Sequence, residues 1–122
     1  MNQNAQIKNM PANAIARKLE IIQGKGAMRS TDIASIVGIR PETVSRWNQG
    51  KAFPQRDKER ILLDLEYIVD QLSDFYKPEE ARLWLFSRQK LLEGKQPAQL
   101  IHDGETDRVI EIIDQLRDGV FL

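Results

Sequence analysis

Apolar positions recur at helical spacing along most of the chain, and no stretch alternates with the two-residue period of a strand for long enough to make one. Ile15, Leu19 and Ile22 mark a first helix over 12–23, with Gly24 and Gly26 expected to stop it. Ser30 or Thr31 is expected to cap a short helix running to Val37, with Asp32 in the first turn, where a carboxylate complements the helix dipole. Gly38 supplies a tight turn. Pro41 suits the first position of the next helix, where its missing N–H costs nothing. That helix directs Val44 and Trp47 inward and ends near Gly50.

The longest periodic segment follows Pro54. Ile61, Leu65, Ile68, Leu72 and Phe75 recur at alternating spacings of four and three, flanked by Leu62, Val69 and Tyr76. The stripe is too wide for a strict two-helix seam. It is therefore expected to pack within the protomer and also to touch a second copy, with Ile61, Leu65, Ile68 and Leu72 as the dimerisation candidates. Pro78 ends this segment and opens a short helix through Phe86, with Leu83 and Trp84 as apolar anchors. Gly94 and Pro97 bracket a turn, Pro97 to His102 forms one brief helix, and Gly104 breaks the chain again. Glu105 to Arg117 reads as an amphipathic helix with Val109, Ile112, Ile113 and Leu116 on one face.

The class is all-α. The segments divide into a flexible lead-in (1–11), a two-helix unit with its preceding helix (12–60), a long connecting helix (61–75) and a small helical module (76–122). The last is expected to gather around Leu83, Trp84, Leu91, Leu92, Leu100, Ile101, Val109 and Ile113. It is too small to stand alone and must lean on the long helix.

Composition narrows the function classes. At 122 residues, with 41% hydrophobic and 30% charged positions, the chain suits one compact domain or two small helical ones sharing a core element. No apolar run approaches the roughly 20 residues that span a bilayer. The Asn- and Gln-rich start does not read as a signal peptide, and a cytoplasmic address is expected. With no cysteine, disulfides and thiolate metal sites are ruled out. His102 is the single imidazole, whereas zinc asks for three or four such ligands, so no metal and no cofactor are expected. Glu79 and Glu80 sit side by side in a first helical turn, where they serve the dipole better than acid–base chemistry. No nucleophile stands beside a base and no glycine-rich phosphate loop occurs, which points to a binding protein rather than an enzyme.

Net charge is zero, but its distribution is uneven. Residues 1–60 carry eleven Lys or Arg against five Asp or Glu, a difference of +6; residues 61–122 carry seven against thirteen, a difference of −6. Two surfaces with different partners are implied, the front one suited to phosphate.

The front surface has a specific candidate. Ile33, Ala34, Val37, Ile39, Val44 and Trp47 form an apolar wedge between two short helices, and the opposite face of the second helix presents Glu42, Ser45, Arg46 and Gln49, with Thr43 at its margin. Side chains of this kind can read base edges in a major groove, Arg46 guanine and Gln49 adenine, whereas the Glu42 carboxylate repels phosphate unless it accepts from cytosine. Ser30, Arg40, Lys51 and Arg56 are placed to meet phosphates. The run from Arg29 to Gly50 resembles the Xre/Cro-type helix-turn-helix family without a gap, which implies operator DNA as a partner. A helical hairpin that binds no DNA is the structural alternative.

The second half carries a more specific likeness. Leu83-Trp84-Leu85-Phe86, the step Leu91-Leu92-x-Gly94-x-x-Pro97, and Leu100-Ile101-x-Asp103-Gly104 follow one another in fixed order. With them, the chain resembles the Xre/MbcA/ParS antitoxin family over nearly everything after Ala12, and the ending Gly119-Val120-Phe121-Leu122 looks like its MbcA branch. The resemblance implies a type II antitoxin that blocks the cleft of a RES-domain, NAD-degrading toxin and represses its own operon. It also implies a homodimer or a higher hetero-oligomer with the toxin. Trp84, Arg108, Gly119, Val120, Phe121 and Leu122 are the candidates for toxin contact. Read as residues alone, Trp84 with Leu85 and Phe86 suits a core. By composition the tail suits folding back onto the core or fraying, as most C-termini do; the resemblance favours its filling an apolar cleft while its terminal carboxylate mimics a phosphate. A stand-alone helix-turn-helix repressor whose second half only dimerises is the alternative reading.

Overall fold

The computed structural model describes residues 13–119, and the expected lead-in and the last three residues of the tail, Val120, Phe121 and Leu122, lie outside them. Among the described residues the chain forms seven α-helices: α1 (Ala14–Gly26), α2 (Ser30–Val37), α3 (Pro41–Asn48), α4 (Arg56–Leu72), α5 (Pro78–Phe86), α6 (Pro97–His102) and α7 (Thr106–Arg117). A single 3-10 turn, Lys90–Leu92, joins α5 to α6. No strand occurs among them; Gln89 and Lys95 make one isolated antiparallel bridge.

Several boundaries follow directly from local chemistry. Asn13 caps α1 by accepting a 2.9 Å hydrogen bond from the Ala16 N–H. Pro41, Pro78 and Pro97 each open a helix at its first turn. Glu80 turns back to accept from the Lys77 N–H at 2.8 Å, so this carboxylate of the acidic pair serves the N-terminus of α5. Gly38, at φ 85°, reverses the chain after α2, and its N–H closes onto the Ala34 carbonyl at 2.8 Å.

Other boundaries depart from expectation. Neither Gly24 nor Gly26 stops α1 short: the helix runs through both, and Ala27 takes the left-handed conformation at φ 48°. Gly26 is a close-approach residue, because a Cβ there would lie 3.1 Å from Cγ1 of Val69 on α4. Neither Ser30 nor Thr31 caps α2. Arg29 occupies the cap position and Ser30 is the first helical residue, while Asp32 accepts from the Arg29 N–H at 3.0 Å. The long helix starts five residues earlier than the apolar stripe and ends at Leu72, leaving Phe75 outside it and 38% exposed.

The core is continuous through both halves of the chain. α4 is its axis, touching α1, α2, α6 and α7, while α5 packs on α1 and α6. Leu62, Leu65, Ile68, Val69 and Leu72 of α4 have no exposed surface. Burying each contributes about 1.5–3 kcal/mol before conformational entropy is charged against it. They meet Leu19 and Ile22 of α1, Ile33 and Val37 of α2, Leu100 and Ile101 of α6 and Val109 and Ile113 of α7 in one cluster. This corrects the dimerisation stripe: Leu65, Ile68 and Leu72 are spent inside one chain, and Ile61 is partly buried against the same core. The module's expected core also changes, because Leu83 is 67% and Leu91 52% exposed, whereas Leu85 is fully buried in the role expected of Leu83.

Polar links reinforce this union. Asp32 on α2 pairs with Arg82 on α5, His102 Nδ1 lies 2.9 Å from the Ile36 carbonyl, and Thr106, the one buried polar side chain among the described residues, donates to Asp64 at 2.8 Å. Lys18 pairs with Glu66 at 3.2 Å and Lys25 with Asp70 at 2.5 Å. Some of the +6/−6 asymmetry is therefore neutralised across the α1–α4 contact rather than offered to partners.

Candidate functional sites

The wedge between α2 and α3 is packed as expected: Ile33, Ala34, Val37, Val44 and Trp47 are buried and Ile39 packs against them. This fixes which side of α3 meets solvent. Glu42, Ser45 and Arg46 on α3 are exposed, with Thr43 half-buried beside them. Arg40 precedes the helix, Gln49 caps its end and Lys51 follows, all three exposed. Ser30 starts α2 and is half-buried. None of Arg40, Glu42, Arg46 or Lys51 is in an ion pair among the described residues, so these charges remain available to a partner. The surface is a short helix with a committed apolar back and an uncommitted polar front.

A second surface forms where α5, the 3-10 turn and α7 meet. Glu93 and Gly94 take consecutive left-handed conformations, at φ 53° and 80°, and fold the chain back so that the Gly94 N–H reaches the Gln89 carbonyl at 3.0 Å. The tight turn sends Leu92 into the core and leaves Leu91 standing out. On one side of Leu91 a groove of about 470 Å³ is lined by Tyr76, Trp84, Gln89, Lys90, Ile112 and Leu116. On its other side, across Ile112, lie Arg108, Glu111 and Gln115.

Two expected partner-facing residues, Trp84 and Arg108, are thus brought onto one face, on opposite flanks of Leu91 and Ile112. Arg108 is held by ion pairs with Glu93 and with Glu105, the latter at 3.7 Å, and its guanidinium is kept charged above its ordinary range by the Glu93 hydrogen bond first of all. Gly119 ends α7 at φ 72°, three residues beyond the groove-lining Leu116. The remaining candidates, Val120, Phe121 and Leu122, lie outside the described residues.

Sequence reasoning missed Leu83, Leu91 and Tyr76 as surface elements. In a segment with Leu83, Trp84, Leu85 and Phe86 consecutive, apolarity does not reveal helical phase, and only Ala81 with Leu85 fixes the inward side. Among the described residues no cluster of His, Asp or Glu could hold a metal, and no helix is long and apolar enough to cross a membrane.

Fold and surfaces together describe a small all-helical protein with a polar helix face at one site and an apolar groove at another. No family model matches the chain. It is 38% identical over 91 residues to the mycobacterial cidal antitoxin MbcA of Mycobacterium tuberculosis and of Mycobacterium bovis, spanning 75% of this chain and 80% of theirs. A probable mycobacterial cidal antitoxin of Mycobacterium tuberculosis is 26% identical over the same length. The fold superposes on a chain of the crystal structure of the M. tuberculosis MbcT–MbcA toxin–antitoxin complex with a TM-score of 0.81, at 33% identity, covering 91% of this chain and all of that one. The chain belongs to the MbcA antitoxin family.

Proposed function

We propose that this protein is the antitoxin of a toxin–antitoxin pair, neutralising a RES-domain, NAD-degrading toxin by closing its substrate cleft, and that it represses its own operon through α3. The observation that carries the toxin reading is the convergence of Trp84, Leu91, Arg108 and the end of α7 on one face. An exposed apolar groove beside the exit of a chain segment suits a partner that receives that segment and covers the groove together. Phe121 and Leu122 would fill apolar walls of the cleft. The likeness to a chain of a toxin–antitoxin complex, over all of that chain, supports the same reading.

The test is co-expression with a RES-domain toxin, followed by co-purification and an NAD-consumption assay. The full chain is expected to co-purify and to silence NAD loss. Removing Phe121 and Leu122 is expected to release the activity, and full inhibition by the truncated chain overturns the plug. A chain that purifies only with copies of itself is instead a stand-alone repressor.

Operator binding rests on the free polar face of α3. Phosphate contacts from Arg40 and Lys51 would set the register while Arg46 and Gln49 read bases, with Ser30 approaching the backbone from the start of α2.

A further inference from the structure

The segment between α3 and α4 presents an aromatic ring that the fold does not use. From Lys51 to Gln55, exposed and half-buried residues alternate, with Lys51, Phe53 and Gln55 out and Ala52 and Pro54 in. Successive side chains of an extended chain point to opposite sides, so Lys51, Phe53 and Gln55 form one outward row. On the inward side, Ala52 packs against the core. The Phe53 ring is 63% exposed although both of its neighbours are partly buried, so the backbone itself holds it outward. Among the described residues it is the one large hydrophobic side chain exposed ahead of α4.

The row is fastened to α3. The Lys51 N–H reaches the Arg46 carbonyl at 2.9 Å and the Gly50 N–H the Trp47 carbonyl at 3.1 Å, with Gly50 at φ 73°. Cations flank the ring. Lys51 stands two residues before it and Arg56 three after, both exposed and outside any ion pair among the described residues. All of this lies in the half of the chain whose charge difference is +6. An apolar pocket on a protein partner would have to desolvate both cations to receive the ring. A nucleic-acid strand matches the row as it stands, because its phosphates alternate with the apolar faces of its sugars.

We propose that Phe53 is a DNA-contact residue, packing on a deoxyribose of the strand that borders the groove entered by α3, with Lys51 and Arg56 on the neighbouring phosphates. Side chains two residues apart on an extended chain stand about 6.5 Å apart, close enough for Lys51 and Phe53 to hold the phosphate and sugar of one nucleotide. The proposal rests on the operator reading of α3 and adds to it a contact that carries no charge. Phe53 would bury apolar surface against the sugar and read no base, so it anchors the end of α3 without selecting a sequence.

Fluorescence anisotropy of the full chain with a labelled mixed-sequence DNA duplex, taken over a salt series, tests it. The wild type is expected to bind with an affinity that falls steeply as salt rises. Phe53→Ala is expected to weaken binding about tenfold at every salt concentration and to leave the slope unchanged, since no phosphate contact is lost. Phe53→Lys sets another cation against the strand and is expected to steepen the slope by about one. Wild-type affinity in Phe53→Ala overturns the contact alone, and so does an unchanged slope in Phe53→Lys. A loss in Phe53→Ala accompanied by a change in sedimenting mass also overturns it, and assigns the ring to a protein contact. A wild type with no affinity for the duplex overturns the operator reading and this contact with it. If circular dichroism shows Phe53→Ala misfolded, Phe53→Gln repeats the test with a side chain of similar length.

Discussion

Arg82 and Asp32 are joined by two hydrogen bonds of 2.9 Å each, from Nε and Nη2 to the two carboxylate oxygens, which clamps α5 to the first turn of α2. The same Asp32 accepts from the Arg29 N–H, so one side chain both caps a helix and fastens it to the other half of the fold. The Arg82 hydrogen bond, ahead of burial that opposes it, holds the Asp32 carboxyl below its ordinary range. A depressed carboxylate adds stability that is complete above its unfolded pKa and is lost as pH falls through its folded pKa. Asp32→Asn is therefore expected to cost about 1–2 kcal/mol at neutral pH. The gap to the wild type should narrow at a pH below the ordinary carboxylate range, as read by urea denaturation at both pH values. An unchanged gap would mean the pair is not what the clamp depends on.

Gly24 and Gly26 make a paired test two residues apart on α1. A Cβ at Gly24 meets nothing within 4 Å, and Gly24→Ala is expected to stabilise by about 0.5–1 kcal/mol through helix propensity alone. At Gly26 a Cβ would stand 3.1 and 3.3 Å from the two methyls of Val69, a fully buried β-branched residue with little rotamer freedom. Gly26→Ala should therefore forfeit that gain and lose about 1 kcal/mol or more to overpacking. Thermal melts of the two variants are expected to move in opposite directions.

The physics of single residues explains which features the sequence disclosed. Pro41, Pro78 and Pro97 announced their helix starts because a fixed φ and a missing N–H leave proline few other places to sit. The wedge from Ile33 to Trp47 was readable because a two-helix hairpin has only one way to hide its apolar face. Gly26 was not, since a glycine that ends a helix and one that admits a neighbour look alike until the neighbour, Val69, is in place. Capping of α2 was misassigned to hydroxyls because Asp32, three residues on, does that work from inside the helix.

Substitutions on α3 separate base reading from phosphate contact. Arg46→Ala removes a candidate bidentate contact to guanine and is expected to weaken operator binding by about 1–3 kcal/mol while relaxing specificity at one position. Lys51→Ala should weaken binding to all sequences alike and reduce the salt slope by about one. Both residues are exposed and outside any ion pair among the described residues, so thermal stability should not move. Gel shifts over a salt series distinguish the two patterns, and wild-type binding by Arg46→Ala would remove α3 as the reading helix.

Leu91 and Leu92 are neighbours with opposite fates, and that makes the groove testable without confusing binding with folding. Leu91 is 52% exposed at the groove wall, whereas Leu92 is 1% exposed in the core. Leu91→Asp should leave the melt within about 0.5 kcal/mol of wild type, because its side chain supports little of the fold. If the toxin covers the Trp84 groove, the same change places an unpaired charge at the centre of an apolar contact and should cost about 2 kcal/mol or more of affinity, some thirtyfold. Leu92→Ala should behave inversely, losing about 2–4 kcal/mol of stability to a cavity while leaving the outer surface intact. Calorimetric titration with the toxin, beside thermal melts, reads both. Undiminished toxin affinity in Leu91→Asp would move the docking surface away from this groove and leave the tail to act by itself.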